Sequence, residues 1–302
     1  MLEISENVPP LVSIGMPVFN GGRYINEALV SILRQSHTNF ELIISDNAST
    51  DNTPGLCREF VEKDSRVRYV RQASNIGALA NFQHVLDQAT GQYFMWAACD
   101  DYWDSQWVET LLHALRSRAA QGAIGRVLQV DGRSQPIEHI VNRQTFSYDT
   151  AYIWRRLKFF VDFEGAGKAN LFYSLFERRF VAELPVRSYG YDYHMIFDFL
   201  RYGRIAGVPS VALHKRIHDD AASTLEINQK RGIGRKIVQR TLFPVDRKII
   251  AGYFRLASFP EACLLLLMTP VKYVIAYGHM FRRLRHALRR GSRKNPTNTA
   301  NS

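Results

Sequence analysis

Near residue 100 an apolar run, Tyr93-Phe94-Met95-Trp96-Ala97-Ala98, ends in Cys99-Asp100-Asp101-Tyr102-Trp103. The run reads as a buried strand with two carboxylates at its C-terminal end, where open parallel α/β sheets bind ligands. Adjacent acids in such a place are costly unless something positive sits on them. A hard divalent cation carrying phosphates meets that need. The plain alternative is a solvated loop or a helix N-cap, since Asp104 and Ser105 are placed to begin a helix.

Four further clusters could carry chemistry. Ser45-Asp46-Asn47-Ala48-Ser49-Thr50-Asp51 offers an acid to a base edge or to ribose hydroxyls, or it is an Asx turn with an N-cap. Arg71 and Ser74-Asn75-Ile76-Gly77 precede a helix that carries Asn81. Gly190-Tyr191-Asp192-Tyr193-His194 opens an apolar helix, and its acid is either a general base or a complement to the helix dipole. Lys215-Arg216-Ile217-His218-Asp219-Asp220 puts a histidine beside acids, as a phosphate or metal ligand or as a solvated turn. Gly165-Ala166-Gly167-Lys168 lacks the spacing of a phosphate-binding P-loop.

The elements that must position these groups alternate. Leu11–Met16, Phe40–Ile44, Val67–Val70 and Tyr93–Ala98 read as strands. Between and after them, apolar residues recur at helical spacing: Ile25, Ala28, Leu29, Ile32 and Leu33, for example, or Trp107, Val108, Leu111, Leu112 and Leu115. Four βα units in succession predict a parallel sheet with right-handed crossovers, so chemistry belongs in the loops after the strands. Ala123–Val130 predicts another strand, Tyr191–Leu200 a helix, and Arg204–Leu213 a returning strand.

Val12-Ser13-Ile14-Gly15-Met16-Pro17-Val18-Phe19-Asn20, then Ser31-Ile32-Leu33-Arg34-Gln35-Ser36, then Phe40-Glu41-Leu42-Ile43-Ile44-Ser45-Asp46-Asn47-Ala48-Ser49-Thr50-Asp51 together resemble the family 2 glycosyltransferases, in the family's order. The resemblance covers roughly residues 11–225 and is strongest over the first 110. It implies the GT-A fold: a nucleotide-sugar-binding α/β domain with a mixed, mainly parallel central sheet. It also implies transfer of a sugar from a nucleoside diphosphate to an acceptor hydroxyl with inversion. Carried over residue by residue, Pro17, Phe19 and Asn20 lie beside the nucleotide, and Asp46 and Asn47 fall where acids meet ribose and base. Asn75, Gly77 and Asp101 complete the donor side. Asp100 falls on the metal-binding acid of the D-x-D element, with His218 facing the diphosphate or a Mg²⁺ or Mn²⁺ ion. Asp192 falls on the catalytic base. Three departures stand out: Asn47 replaces a frequent acid, Ala98 the first acid of D-x-D, and Tyr191 the glutamate before the base.

The chain has 302 residues, 46% of them hydrophobic, enough for one large core and an appendage. The expected division is a catalytic domain over 1–225 (donor half 11–130, acceptor half 131–225), a basic helical region over 226–294 and a disordered tail over 295–302. Three widely spaced cysteines, with neither metal-ligand nor disulfide spacing, fit a reducing cytosolic setting. Met1–Pro10 lacks a signal-peptide pattern. The net charge of +11 sits in the C-terminal quarter: from Arg282 onward there are seven cations and no acid. That placement argues against a nucleic-acid-binding core. Ahead of those cations, Ala262–Phe281 is mostly apolar, interrupted by Pro270 and Lys272. As a helix it would be about 30 Å long, near the thickness of a bilayer core. The pair predicts peripheral attachment to an anionic membrane surface on the inner face of the cell membrane, with a core helix packed on the body or a true span as the alternatives; attachment by family analogy suits a saccharide or lipid-linked saccharide acceptor in surface-polysaccharide assembly. A sugar nucleotidyltransferase is a poor match, because Pro17-Val18-Phe19-Asn20-Gly21-Gly22-Arg23 is not its Gly-rich basic loop. A non-catalytic nucleotide-sugar, polyanion or membrane-binding protein on a degenerate fold remains the other reading.

Overall fold

The computed structural model of the chain describes residues 9–184, 190–218 and 246–292. Its centre is an eight-stranded mixed sheet in the order β3-β2-β1-β4-β7-β6-β8-β5. Strands β1 (Val12–Val18), β2 (Phe40–Asp46), β3 (Val67–Arg71) and β4 (Tyr93–Trp96) pair in parallel, as the βα alternation predicts. The register sets Val18 beside Asp46 and Asp46 beside Arg71, so three strand ends lie level. Helices α1 (Ile25–Leu33), α2 (Thr53–Lys63) and α3 (Ala78–Asp87) make the crossovers. They bury the apolar faces read from spacing; Ile25, Ala28, Leu29 and Ile32 of α1 are all buried.

The second half departs from the expected pattern. Tyr102–Trp103 forms a two-residue strand, β5, so α4 (Trp107–Ser117) begins after it rather than at Asp104. Asp104 instead accepts from the Ala212 N–H and lies 2.9 Å from His214 Nε2, tying β5 to β8 (Ile205–Arg216). Strand β6 (Gly122–Val130) pairs in parallel with β8. A three-residue strand, β7 (Leu175–Glu177), enters antiparallel between β4 and β6. Three residues are too few to show a period, which is why the sequence pattern does not reveal β7. Strand β8 also runs to Arg216, past the end expected at Leu213. That extension puts Lys215 and Arg216 on the sheet instead of in a loop.

Helices α5 (Tyr152–Val161), α6 (Arg178–Val181) and α7 (Tyr191–Tyr202) belong to the second half of the chain, and 3-10 turns at Glu164–Ala166 and Lys168–Tyr173 link α5 to β7. The core is aromatic here. Trp96 stacks on Phe172 at 4.2 Å, and Phe159 and Phe160 meet Tyr253 edge-on. A fully buried large apolar side chain contributes about 1.5–3 kcal/mol.

The C-terminal helices α8 (Arg247–Leu256) and α9 (Phe259–Ser292) pack on this body, and Ile249, Tyr253 and Leu265 belong to the same core. Between Phe259 and Arg282, α9 is long and apolar enough to cross a membrane by length and composition. One of its faces is nevertheless held by buried charge. Lys272 Nζ donates to Glu164 at 2.5 Å and to the Phe160 carbonyl, Lys168 lies 3.2 Å from the same carboxylate, and Arg156 lies 3.1 Å from Glu261. Burial pushes the Lys168 ammonium down to about 7, partly offset by Glu164. The opposite face leaves Phe259, Leu266, Leu267, Val274 and Phe281 exposed. Residues 226–245 of the basic region expected over 226–294, and the tail over 295–302, lie outside the described residues.

Candidate active site

The C-terminal ends of β1, β2 and β3 are joined by one hydrogen-bond network. Asp46 is fully buried. Its Oδ1 accepts from the Ser49 N–H at 2.8 Å, its Oδ2 accepts from the Tyr69 hydroxyl at 2.7 Å, and Arg71 Nε lies 3.6 Å away. With both oxygens engaged, Asp46 shapes the loop after β2. Asn20 lies at positive φ (51°), a conformation asparagine tolerates better than most residues. Two contacts hold it there: its N–H donates to Ser49 Oγ, and its Oδ1 accepts from the Thr50 N–H. Phe19, beside it, is 48% exposed although apolar. Pro17 is buried in β1 just below.

Asn47 is buried at the level of Val18, whose carbonyl accepts its N–H. Its amide Nδ2 donates to Asn75 Oδ1 at 2.9 Å, and its Oδ1 accepts from the Ile76 N–H at 2.8 Å. Asn75 Oδ1 also accepts from the Gly77 N–H. A carboxylate at position 47 could accept from Ile76 but could not donate to Asn75, so Asn47 suits this loop better than the acid it replaces. Gly77 has φ +85° and opens α3; only glycine adopts that conformation without strain. Phe19 and Ile76, beside the loop residues Asn20 and Asn47, are both exposed and apolar.

Asp100, Asp101 and His218 form the second group. Asp100 Oδ2 and His218 Nε2 are 3.0 Å apart, although 118 residues separate them in sequence. Asp101 is buried; its Oδ1 accepts from the Arg216 N–H, and its Oδ2 has no hydrogen-bond partner among the described residues. Burial, reinforced by the Asp100 charge, pushes Asp101 up to about 7. Arg216 braces the turn. Its Nε donates to the Asp100 carbonyl, one terminal nitrogen pairs with Glu27 of α1, and the other donates to Ser134 Oγ at 2.9 Å. Its guanidinium lies over Tyr24, whose ring also meets His218 at 4.7 Å. The network around Arg216 was invisible in sequence, where only His218 was drawn from the Lys215–Asp220 run. Asp219 and Asp220 lie outside the described residues.

These donors fit a divalent cation. Among the described residues there is no cluster of three or more His, Cys, Asp or Glu side chains able to hold a metal. Asp100 and His218 supply one oxygen and one nitrogen, and Ala98 adds nothing. Magnesium-type sites commonly take one or two protein ligands and complete their shell with water and substrate phosphates. The carboxylate and imidazole suit Mn²⁺ equally, so the pair is adequate only with a diphosphate present.

Asp192 forms the third group, in the first turn of α7 after Gly190, which stands at φ +73°. Its Oδ1 accepts from the Tyr193 N–H at 3.0 Å. Burial pushes it up to about 6, against the opposing pull of that N–H and of the Lys215 ammonium.

The fold and these strand ends agree with what comparison finds. The family model described as Glycosyl transferase family 2 matches residues 13–183, more than half of the chain. The chain belongs to glycosyltransferase family 2. Similar proteins include the glycosyltransferase GlyG of Streptococcus pneumoniae, 31% identical over 45% of this chain and 45% of that protein. A Bacillus subtilis protein described as a teichuronic acid biosynthesis glycosyltransferase, TuaG, is 29% identical over 48% of this chain and 58% of its own length. The chain thus spans about half the length of these curated relatives. Among solved structures, S. aureus TarS 1-349 in complex with UDP-GlcNAc superposes with TM-score 0.56 at 15% identity, covering 93% of this chain and 92% of that one. The mannosyltransferase PcManGT of Pyrobaculum calidifontis, in complex with GDP-Man and Mn²⁺, superposes with TM-score 0.54, covering 89% and 86%. These likenesses establish the GT-A fold.

Proposed function

We propose that this glycosyltransferase moves a sugar from a nucleoside diphosphate sugar to an acceptor hydroxyl with inversion at the anomeric carbon. One observation carries the reading. The chain sets two acid groups apart: Asp100, whose carboxylate lies 3.0 Å from His218 Nε2 after β4, and Asp192, pushed up by burial to about 6, in the first turn of α7. Inverting transfer needs that division, with charge neutralisation on the leaving side and a base on the attacking side.

In this reading the nucleoside lies against Phe19, Asn20, Asn47, Asn75 and Gly77, on the loop that Pro17 and Asp46 shape. Asp100 and His218 would hold Mg²⁺ or Mn²⁺, which when bound supplies charge neutralisation to the departing diphosphate. Asp101 keeps the turn in place through Arg216. Asp192 takes the acceptor's proton as the acceptor oxygen bonds to the anomeric carbon and the carbon–phosphate-oxygen bond breaks. A positioned base typically contributes ~10²–10⁴-fold. The TarS and PcManGT complexes, with their uridine and guanosine donors, support a nucleotide-sugar donor without choosing the base. TuaG supports a saccharide or lipid-linked saccharide acceptor in surface-polysaccharide synthesis.

We further place the protein on the anionic inner face of the cell membrane, lying along α9. The exposed apolar side chains of α9 and the seven cations from Arg282 onward support this, each cation near such a surface contributing about 1 kcal/mol. Glu261 and Lys272 are buried against the body, which opposes a spanning arrangement. Sedimentation with phosphatidylglycerol vesicles, and its loss in Leu267→Glu, tests the placement.

The first test of the donor reading is thermal stabilisation by a panel of nucleoside diphosphates with and without Mn²⁺. Metal-dependent stabilisation by one of them supports it; no response to any refutes it. Ala98 and Tyr191, standing where the family pattern has acids, favour the second reading, a nucleotide-sugar-binding protein that does not transfer. Binding without turnover of the donor would select that reading.

A further inference from the structure

Helices α7 and α8 touch on successive turns. His194 Nε2, near the start of α7, lies 3.1 Å from the Ile249 carbonyl. Further along, the Phe197 and Tyr253 rings meet with centroids 4.9 Å apart. Near the end, Arg201 donates to the Leu256 carbonyl. The contacts climb both helices in the same order, so the two lie side by side and point the same way. Both helices follow residue 183, where the family match ends.

The first contact is fitted more closely than helix packing alone requires. A carbonyl only accepts, so the Nε2 that faces Ile249 carries the ring proton. Gly252 lets the ring in: a Cβ there would stand 1.9 Å from Nε2 and 2.2 Å from Cε1. Gly190, the N-cap of α7, closes on the same place. A Cβ there would lie 3.3 Å from Ile249 Cγ1 and 3.4 Å from His194 Cε1. The Gly190 carbonyl accepts from the Tyr193 and His194 N–H groups, both at 3.0 Å, and the Tyr193 N–H also meets Asp192 Oδ1. Cap, acid and imidazole therefore belong to one turn, and that turn rests on Ile249.

We infer that His194 is a positioning residue that seats the Asp192 turn on α8, with Gly252 as its socket. The contacts at Phe197 and Arg201 hold the body of α7, but Asp192 lies beyond them, toward the free end. A base must come within hydrogen-bond reach of the proton it takes, and a misplacement of about 1 Å can cost on the order of 10²-fold. In this arrangement α8, from the C-terminal region, completes the attacking side of the site.

The inference rests on Asp192 being the base, and the test keeps the two apart. Amide hydrogen exchange of the full-length protein is compared over 190–196 and 197–202, which needs no substrate. In His194→Ala, exchange over 190–196 is expected to speed up about tenfold, while 197–202 stays within about twofold of wild type. His194→Gln keeps an N–H donor and is expected to restore most of the protection. Gly252→Ala puts a methyl where the ring sits and reproduces the loss if His194→Ala fails to fold. Release of nucleoside diphosphate from uridine and guanosine diphosphate sugars with Mn²⁺ gives the kinetic arm. There kcat should fall on the order of 10–10²-fold with donor KM within about twofold, a split that general loosening does not produce. Arg201→Ala, at the far end of the same helix pair, should lower the melting temperature and leave the first turn and kcat unchanged. Unchanged exchange over 190–196, an equal rise in both segments, or a loosened turn with wild-type kcat each overturns the role of His194. Wild-type turnover by Asp192→Asn overturns the base instead, and exchange alone then decides whether His194 seats the turn.

Discussion

Replacing Asp192 by Asn should slow transfer and stabilise the protein. The carboxyl is raised from an ordinary 3.8 to about 6 chiefly by burial. A raised acid binds its proton more tightly folded than unfolded. Between about pH 4 and 6 the folded state therefore holds more protons, and stability falls as pH rises through that window. Above it, the buried charge costs the fold up to about 3 kcal/mol, from two pH units at about 1.4 kcal/mol each. Asparagine keeps an Oδ1 that can accept from the Tyr193 N–H but carries no charge. Urea denaturation at pH 8 should then show the variant to be more stable by about 1–3 kcal/mol, with the difference vanishing near pH 4. Activity should move the other way, since only the carboxylate accepts a proton. Wild-type kcat/KM should fall below about pH 6, and the variant should lose ~10²–10⁴-fold at every pH while still binding nucleotide. A variant less stable than wild type at pH 8, or one turning over at wild-type rate, would refute the reasoning.

Other perturbations probe the remaining parts. Asp100→Ala should abolish the Mn²⁺ dependence of nucleotide binding while leaving metal-free affinity within a few-fold, as read by calorimetry; unchanged metal dependence would move the metal elsewhere. Gly77→Ala meets no neighbouring atom but must hold φ +85°, which costs on the order of 1–3 kcal/mol; weaker nucleotide binding with an intact melting transition would locate that strain in the donor loop. Lys272→Ala removes one of two cations from a buried Glu164, and a loss of about 3 kcal/mol in urea is expected, with vesicle binding by the folded protein retained if α9 stays docked.

Sequence pattern was informative where periodicity and strand ends coincide. Helix α1 was legible because Ile25, Ala28, Leu29 and Ile32 must all leave water on one face. Asp46, Asp100 and Asp192 were legible because each follows an apolar strand or opens an apolar helix. What each does was less so: Asp46 falls on a ligand position in the family pattern, and the structure shows it buried, with Ser49 and Tyr69 each donating to one of its oxygens. The end of β8 was misjudged because Lys215-Arg216 looks like a polar loop. Cations continue that strand because Arg216 finds Glu27, the Asp100 carbonyl and two rings to bury against, partners that linear spacing does not display. The short β7 left no periodic trace at all.

The order of strands and helices through β4, and the identity of the acids at their ends, follow from the sequence by itself, because hydrophobic period is a local property and a strand end is where it stops. The tertiary structure decided which ends meet. His218 reaches Asp100 across 118 residues, α9 rests on the body through Glu164, and Arg216 of β8 reaches Glu27 of α1. Charged groups enter such places only when partners from distant segments offset their desolvation, and that balance exists only once the chain has folded.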